Sequence, residues 1–434
     1  MIWLYRLAFL PAMALAMPYY AARMLRRGGY GRDFSHRFGL IGRLPPPAAG
    51  KVRVWIQAVS VGEVEACAAL LKLMAASGRY EAVVTTTTST GYAVLCKKYA
   101  GLCAHVGIFP FDFAPFSSSA WDRIRPDLCV LMEGELWPEH IHQARSRGVP
   151  VALLNARLSD RSFSRYSKVP GIARRIFSGI DFIACGSGQD MERFAALGAD
   201  PARLACTGNI KFDSGPERLL SREERLELRR GMGFADSSLV LLGSSTWEGE
   251  EEMLVKIAQS ISSEGGGDVR LLIVPRHAER RGAVRETLER LGVRFHFRSG
   301  SAAAPEGTFA YVGDTTGELR TLTQAADFAF IGKSMPPNSG GQSPLDCAAA
   351  GVPFVCGPNM TNFRQMCASL RDAGAFMEAS DEACVRAALA ELAGSPGRRA
   401  ELSKAARAWH ASNSGASKRS LEILDALSRR AGNA

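Results

Sequence analysis

The feature that most constrains the fold is an alternation of short apolar runs with helical patterns. It begins near Lys51 and occurs twice along the 434 residues. In the first series, runs such as VRVWIQAVS, DLCVLME and DFIACGS have the length and composition of buried strands. Between them, EVEACAALLKLMAAS carries apolar residues at 64, 67, 68, 71 and 74, the period of a half-buried helix. Strands that alternate with helices predict parallel βαβ units and an α/β fold.

The alternation of apolar runs and helical patterns is interrupted near residue 210, which separates the two series. The stretch TGNIKFDSGP is followed by a charged helical pattern and then by new runs, which include SSLVLLGSS, DVRLLIVPR and DFAFIGKS. We therefore predict two doubly wound α/β domains, over 31–210 and 211–410, with a C-terminal helix over 411–434. Ligands of such sheets bind beyond the carboxyl ends of the strands, so two domains with facing strand ends would form one cleft.

The N-terminal segment differs from the rest of the chain. Residues 7–25, LAFLPAMALAMPYYAARML, are apolar apart from Arg23, and further arginines follow at 26, 27 and 32. The segment contains two prolines and is slightly short for a clean span of ~20 residues. A signal-anchor, an interfacial segment and a signal peptide cleaved near residues 12–14 therefore remain open. We favour a membrane anchor over 1–30, and the basic flank would place the following domain on the cytoplasmic side.

Composition narrows the class of partner. The net charge of +10 and the pI near 9.2 favour anionic partners, such as nucleic acid, an anionic membrane or a phosphorylated substrate. No basic run is interleaved with aromatic residues, which argues against nucleic acid. The ten cysteines are scattered without a C-x-x-C pair. This pattern predicts buried thiols in a reducing compartment and neither disulfides nor a zinc site.

Candidate catalytic carboxylates follow two of the predicted strands. In WIQAVSVGEVEA, Glu63 opens a helix directly after a strand, so it is either a helix-start acid or a general base at the edge of the sheet. A helix N-terminus lowers the pKa of a carboxylate, so a base at this point needs burial and neighbouring carboxylates to raise it. In LMEGELWPEH, Glu133 and Glu135 follow another strand and could supply that charge, although a solvated turn explains them equally well.

Two basic residues are further candidates. Lys211, in GNIKFD, lies between the two series, either as a solvated lysine or as a fixed positive charge near a reacting anion. The strand in LLIVPRH delivers Arg276 to its carboxyl end, where a guanidinium suits bidentate capture of phosphate or carboxylate. His277 lacks a partner at metal-ligand spacing, so we predict no metal site.

The stretch FIGKSMPPNSGGQSPLDCAAAGVPFVCGP leads from a strand through a glycine-rich loop to a short helix. Ser343 as N-cap, Pro344 at the first helical position and Asp346 at the third predict a capping box with aspartate in place of glutamate. A loop of this kind is also typical of an anion site, and Asp346 could accept hydrogen bonds from a ribose. The spacing is neither G-x-G-x-x-G nor a P-loop, which argues against dinucleotide or ATP chemistry.

Taken together, these stretches resemble the 3-deoxy-D-manno-octulosonic acid (Kdo) transferase family of lipopolysaccharide core assembly. The motifs that carry the resemblance run in order from Trp55 to Pro358: WIQAVSVGE, TTTTSTGY, FPFD, MEGELWPE, NARLSDRSFSRY, TGNIKFD, SSTWEGEEE, LLIVPRH, GDTTGEL and GGQSPLDCAAAGVPFVCGP. The resemblance implies a GT-B glycosyltransferase of two Rossmann-like domains that needs no metal or cofactor. It also implies inverting transfer of Kdo from CMP-Kdo to the lipid A precursor, lipid IVA, at the cytoplasmic face of the inner membrane.

The functional residues of the family fall on matching positions of this chain. The resemblance implies that Glu63 is the general base, which deprotonates the acceptor hydroxyl, and that Glu133 and Lys211 stabilise the transition state. The implied CMP contacts are Pro275, Arg276, Thr316, Gly317, Glu318, Ser343, Pro344, Leu345 and Asp346. The N-terminal domain, next to the membrane, would bind the acceptor. An anionic lipid and an anionic nucleotide sugar are both consistent with the positive net charge.

The chain departs from the family pattern at two places, and two other functions remain open. Where the family donor loop is expected to carry Asn-Pro-x-Glu, this chain has Ser343 and the shorter Asp346, which would reach a ribose through water or a shifted helix. Trp247 stands where histidine is expected before EGEE. The alternatives are another GT-B reaction, such as a UDP-sugar transferase or a non-hydrolysing epimerase, and a membrane-peripheral protein that senses a nucleotide sugar without turnover.

Overall fold

The structure is a computed structural model that describes residues 2–28, 31, 33–213, 215–216 and 218–432. Arg32, part of the basic flank after the apolar segment, lies outside the described residues, as do the side chains of Arg23 and Arg27. The chain divides into two compact units. The first unit comprises Met1–Asp213 and Ser414–Ala434, and the second unit comprises Ser214–Asn413.

The first unit is built on a parallel sheet of seven strands in the order β3-β2-β1-β4-β5-β6-β7. The strands are β1 (Val52–Gln57), β2 (Tyr80–Thr86), β3 (His105–Ile108), β4 (Leu128–Met132), β5 (Val151–Ala156), β6 (Phe182–Cys185) and β7 (Leu204–Cys206). Its helices are α1 (Ile2–Arg27), α2 (Val61–Ser77), α3 (Ser89–Val94), α4 (Ala114–Ile124), α5 (Pro138–Ser146), α6 (Asp160–Ser167), α7 (Pro170–Phe177) and α8 (Gly188–Ala196).

The second unit repeats this plan with seven parallel strands in the order β10-β11-β9-β8-β12-β13-β14. The strands are β8 (Leu239–Thr246), β9 (Val269–Pro275), β10 (Phe295–Phe297), β11 (Ala310–Val312), β12 (Phe328–Ile331), β13 (Phe354–Cys356) and β14 (Met377–Glu378). The helices are α9 (Arg222–Gly231), α10 (Glu250–Ser263), α11 (Arg281–Arg290), α12 (Leu319–Thr323), α13 (Leu345–Ala350), α14 (Arg364–Asp372), α15 (Glu382–Gly394) and α16 (Pro396–Asn413). The last helix, α17 (Ala416–Gly432), belongs to the first unit.

Helices cover both faces of the first sheet, and this is why its strands are continuous apolar runs. Val54 and Ile56 of β1 belong to one buried cluster, which also contains residues of α2 and α17. Trp55, between them, points to the opposite face, where its ring lies 5.3 Å from that of Trp121 on α4. A strand buried on both sides holds its carboxyl end in a fixed position, so the residues that follow it are fixed as well.

The predicted α/β architecture of two doubly wound parallel sheets is confirmed. Every apolar run quoted above as a strand forms one, and the helix predicted after β1 is α2. Three short strands, β3, β7 and β14, were not predicted. Of the ten cysteines, all free, six are buried, among them Cys129 and Cys185 inside predicted strands, whereas Cys206 and Cys384 are exposed. Among the described residues, one helix, Ile2–Arg26, is long and apolar enough to cross a membrane.

Candidate active site

Glu63 lies in the first turn of α2, immediately beyond the carboxyl end of β1. Its carboxylate accepts hydrogen bonds from the Val59 N–H at 2.8 Å and from the Ser60 hydroxyl at 3.2 Å. Free N–H groups and the helix dipole favour a carboxylate at this position, so the helix-start role is present in the structure. The residue is 7 % exposed. The turn therefore buries Glu63 without enclosing it completely.

The pKa of Glu63 is raised to about 7, mainly because burial disfavours the charged carboxylate. The Val59 and Ser60 hydrogen bonds lower this pKa, whereas the charges of Glu133 and Glu135 raise it. The sequence predicted a conflict between a helix N-terminus, which lowers the pKa of Glu63, and burial with neighbouring carboxylates, which raise it; burial is the largest of these effects. A carboxylate with a pKa near 7 exchanges its proton readily at neutral pH, as a general base must.

Glu133 follows β4 in an unusual backbone conformation. Its φ is +56°, in the left-handed region that non-glycine residues rarely adopt. The peptide is held there by the neighbouring strand: the Glu133 N–H donates to Leu154 O at 2.9 Å, and its carbonyl accepts from the Arg157 N–H at 3.2 Å. A carboxylate oxygen of Glu133 lies 2.6 Å from Nζ of Lys211. Glu133 and Lys211, predicted separately from two distant motifs, therefore form an ion pair in the first unit.

Asn155, which the sequence did not single out, connects this ion pair to the sheet. It lies in β5 and is fully buried, with φ at +52°. Its side-chain oxygen accepts from the Ile210 N–H at 3.1 Å, and its amide approaches Glu133 at 3.4 Å. Asn155 thereby positions the short 3₁₀ turn that carries Lys211. The motif NARLSDRSFSRY contained this residue, but a buried amide inside a strand gives no separate signal in a sequence.

The other end of the same turn is also fixed. The carboxylate of Asp213 accepts the N–H groups of Gly415 at 2.6 Å and Ala416 at 3.1 Å, together with that of Ser417, at the start of α17. Lys211 is therefore held from both sides. The strand ends of the first unit bring together the three residues proposed for catalysis, and Glu135, whose pKa is raised by burial and by Glu133, lies near them.

In the second unit, Arg276 follows β9, and its side chain is exposed. Its N–H donates to Thr246 O at 3.1 Å, which ties the end of β9 to that of β8, whereas Pro275 is buried. Trp247, the departure from the expected histidine, lies between two basic side chains: His277 meets its ring edge-on at 5.0 Å, and Nζ of Lys333 lies 4.5 Å above it. The exposed Arg276 guanidinium is available for an anion.

In the turn Thr316–Gly317–Glu318, before α12, the first two residues are exposed and Glu318 is half-buried. Gly317 has a φ of +94°, which a residue with a side chain adopts only under strain. Glu318 pairs with Arg298 through both carboxylate oxygens, and Thr315 also donates to it. The pKa of Glu318 is lowered, mainly by its bond to Arg298. The Glu318 carboxylate is thus already paired within the protein, whereas Thr316 and Gly317 are exposed.

The capping box predicted at Ser343 is wrong. The helix α13 starts at Leu345 with Pro344 as N-cap, and the Ser343 hydroxyl accepts from the Leu345 N–H at 3.3 Å, two residues on instead of three. Asp346 does not cap the helix but pairs with Arg320 of α12 at 3.2 Å. Its pKa is nevertheless raised, because burial outweighs the arginine. A ribose contact by Asp346 would have to compete with Arg320.

Two carboxylates that the sequence did not single out fix the segments that follow the strands β8, β9 and β12 of the second unit. Glu250 is buried and accepts the N–H groups of Trp247 at 2.9 Å, Lys333 at 2.8 Å and Ser334 at 3.2 Å. Glu251 pairs with Arg280 through both oxygens. The acidic run in SSTWEGEEE therefore has a structural function. A run of acids at a helix start is the only sequence signal for it.

Comparison with known proteins identifies the family. A family model described as "3-Deoxy-D-manno-octulosonic-acid transferase (kdotransferase)" matches residues 32–214. The 3-deoxy-D-manno-octulosonic acid transferase of Bordetella pertussis is 31% identical over 412 residues, which cover 93% of this chain and 94% of that protein. The chain belongs to the Kdo transferase family. The Kdo transferase of Haemophilus influenzae is likewise 31% identical over 421 residues, covering 96% of this chain and 94% of that protein.

Solved structures agree with the fold expected of a Kdo transferase. The UDP-GlcNAc 2-epimerase from Neisseria meningitidis, solved with UDP-GlcNAc bound, matches with a TM-score of 0.57 over 86% of this chain and 99% of that chain. The two sequences are 12% identical, so this similarity concerns the fold alone. The prediction of a GT-B type α/β fold is confirmed.

Proposed function

We propose that the chain transfers Kdo from CMP-Kdo to the lipid A precursor, lipid IVA, with inversion at the anomeric carbon. The observation that carries the proposal is Glu63, a buried carboxylate with a pKa raised to about 7 at a strand end, beside Glu133 and Lys211. Membership of the Kdo transferase family supports the reaction type. The positive net charge supports an anionic donor and an anionic acceptor.

In the proposed mechanism, Glu63 takes the proton of an acceptor sugar hydroxyl. The hydroxyl oxygen forms a bond to the anomeric carbon of Kdo, and the bond from that carbon to the CMP phosphate breaks with its electron pair going to CMP. A single displacement of this kind inverts the anomeric centre. Glu133 and Lys211 stabilise charge in the transition state, and their ion pair keeps both charges in place before substrate arrives.

The second unit is proposed to hold the donor. Arg276, exposed at the end of β9, would bind a phosphate oxygen through its guanidinium. The other proposed CMP contacts are Pro275, Thr316, Gly317, Glu318, Ser343, Pro344, Leu345 and Asp346. Because Glu318 and Asp346 already pair with arginines, they would contact CMP only after rearrangement or through water. No metal or cofactor is needed for the proposed reaction.

The first unit is proposed to bind the acceptor. The segment 1–30 would anchor it at the cytoplasmic face of the inner membrane, where a lipid acceptor is available. Proximity to the bilayer spares the enzyme the cost of extracting a lipid into water, because the acyl chains of the acceptor stay among other acyl chains.

The test is Glu63→Gln, with Glu65→Gln as a matched control. Glu65 lies on the same helix, but its carboxylate pairs with Lys98 at 2.6 Å. With CMP-Kdo and lipid IVA, Glu63→Gln should lose transfer by at least about 100-fold, as loss of a general base implies, while CMP binding and the Glu65→Gln control stay near wild type. Turnover of a UDP-sugar instead of CMP-Kdo would favour the other GT-B reaction. If wild type and both variants bind CMP-Kdo but none of them turns it over, the alternative of a protein that senses a nucleotide sugar would be favoured.

A further inference from the structure

The beginning of α1 is fastened to the body of the first unit. Arg6 forms two hydrogen bonds of 2.8 Å to the carboxylate of Glu139, which is 0 % exposed. One residue earlier, the Tyr5 hydroxyl donates to Asp112 at 2.7 Å, and one turn later the ring of Phe9 stacks on that of Phe113. A buried carboxylate without its cation is strongly destabilising, so Glu139 holds Arg6 against the first unit.

The partner residues are themselves fixed by the fold. Asp112 accepts the N–H groups of Glu139 at 3.1 Å and His140 at 2.8 Å, at the start of α5. Gln143, one turn further along α5, donates to Glu139 at 2.6 Å. The Arg6 contact therefore ends in the first turn of α5, and the Tyr5 contact ends on Asp112, whose carboxylate is bonded to that same turn.

The other end of α1 returns to the same unit within a few residues. Asp33 accepts a hydrogen bond from the Tyr92 hydroxyl, and a 3₁₀ turn packed in the first unit follows it. Five residues lie between Arg27 and Asp33, so the Cα atoms of these two residues are at most about 21 Å apart when the chain is fully extended. The hydrocarbon core of a bilayer is about 30 Å thick. If α1 crossed it, the chain would have to return through hydrocarbon with unpaired backbone groups.

The face of α1 that the first unit does not cover is apolar. The half-buried positions, with helical period, are Ile2, Tyr5, Arg6, Phe9, Met13, Ala16 and Met24. The exposed large side chains are Trp3, Leu4, Leu7, Leu10, Leu15, Met17, Tyr19, Tyr20 and Leu25. An apolar face of this extent on a soluble surface indicates contact with a membrane or a partner. Tryptophan and tyrosine among leucines favour the lipid–water interface.

A neighbouring surface indicates whether a membrane or a partner protein covers the apolar face of α1. Leu4 borders an apolar recess with Val169, Ile172 and Arg175, at the start of α7. Arg161, Arg165, Lys168 and Arg175 are exposed along α6 and α7, and they form no ion pair with any residue that the structure describes. An apolar recess with Arg175 in its wall, next to exposed cations on the same pair of helices, matches a surface of anionic phospholipid, where the charges meet phosphate groups.

We infer that α1 is an in-plane anchor, which stays fastened to the first unit and lies along an anionic phospholipid surface instead of crossing the bilayer. This goes further than the membrane attachment proposed above, on which it rests. It resolves the three alternatives left open by the sequence in favour of the interfacial segment. It also fixes the first unit against the membrane, which a flexible spanning anchor would not do.

The first test is the side on which the N-terminus lies. A tag with one cysteine is placed ahead of Met1, and Cys206, exposed in the first unit, serves as the internal marker. Membrane vesicles of both orientations are treated with a maleimide that cannot cross the bilayer. Because the inference places the tag and Cys206 on the same side of the membrane, both should react in vesicles of one orientation and neither in vesicles of the other. Reaction of the tag in one orientation and of Cys206 in the other would show a spanning helix and overturn the inference.

The second test is sedimentation with phosphatidylglycerol vesicles. The triple variant Leu4→Ser, Leu7→Ser, Leu10→Ser should bind at least tenfold more weakly than wild type. Leu219→Ser, at an exposed leucine of the second unit, is the matched control and should bind as wild type. Lys168→Gln with Arg175→Gln should weaken binding to these vesicles but not to uncharged phosphatidylcholine. Unchanged binding of the triple variant would overturn the inference.

A measurement of turnover distinguishes failure of this inference from failure of the proposed function. CMP-Kdo consumption is measured for each variant with lipid IVA dissolved in detergent, where attachment to a bilayer plays no part. A spanning topology with normal turnover would overturn the in-plane anchor alone. If the tag and Cys206 are labelled on the same side of the membrane but the protein shows no turnover, the in-plane anchor is supported and the proposed transferase is overturned.

Discussion

Replacing Glu63 by glutamine should stabilise the folded protein at alkaline pH while it abolishes transfer. Glutamine has nearly the same shape, and its side-chain oxygen can still accept the Val59 N–H. What it lacks is the charge that burial disfavours. The pKa of Glu63 is raised from an ordinary 4.5 to about 7. At about 1.4 kcal/mol per pH unit this corresponds to about 3 kcal/mol, which solvent screening reduces to about 2 kcal/mol.

The sign follows from the direction of that pKa. Because the folded chain binds the Glu63 proton more tightly than the unfolded chain, the wild type has its full stability below about pH 4.5 and loses it as the pH rises through 7. Glu63→Gln has no such loss. It should therefore match the wild type near pH 5 and exceed it above pH 8, where its midpoint should be higher by roughly 4–8 °C for a unit of this size.

The assay is thermal or urea unfolding of wild type, Glu63→Gln and Glu65→Gln at pH 5 and pH 8.5. The Glu65→Gln control removes an ion pair that is more than one-third exposed, and it should change stability little at either pH. If Glu63→Gln is less stable than wild type at pH 8.5, the hydrogen bonds to Val59 and Ser60 outweigh burial, and the raised pKa assigned to Glu63 is refuted.

Two further changes test the second unit. Arg276→Gln should weaken CMP binding by about 10- to 100-fold, which is the loss expected for one charge-assisted contact, and should leave the unfolding midpoint unchanged. Calorimetry with CMP measures the affinity. An unchanged affinity would show that Arg276 does not bind the donor. Glu250→Gln leaves the three N–H groups of Trp247, Lys333 and Ser334 with a weaker acceptor, so it should destabilise the protein by about 2 kcal/mol. An unfolding midpoint equal to that of wild type would show that Glu250 does not hold the segments after β8 and β12 in place.

The sheets were predictable because parallel strands buried on both faces are continuous apolar runs. β1 and β4 have this form, and their carboxyl ends lie side by side, so the proximity of Glu63 and Glu133 followed from the predicted fold. The strand β3 (HVGI) begins with a histidine and contains a glycine, and β14 has two residues. Such short strands are fixed by pairing with their neighbours and carry too few apolar residues to be predicted on their own.

The parts of the site that were missed depend on distant residues. The hydrogen bond from Ile210 to Asn155 and the ion pair between Arg6 and Glu139 join positions that the sequence does not relate. The capping box failed for a local reason: Ser343 bonds the N–H two residues on, so the helix starts one residue later than predicted. The sequence showed that opposing effects act on the pKa of Glu63. Which effect is larger could be decided only from the burial of its side chain in the structure.

The measurement that tests the role of Glu63 most directly is the pH dependence of kcat/KM for Kdo transfer from CMP-Kdo to lipid IVA. If Glu63 is the base, kcat/KM falls on the acidic side with an apparent pKa near 7. In Glu133→Gln this limb moves to lower pH, because a charge that raises the pKa of Glu63 is gone. A profile that stays flat down to pH 5, or a limb that Glu133→Gln leaves in place, would contradict the assignment of Glu63 as the base.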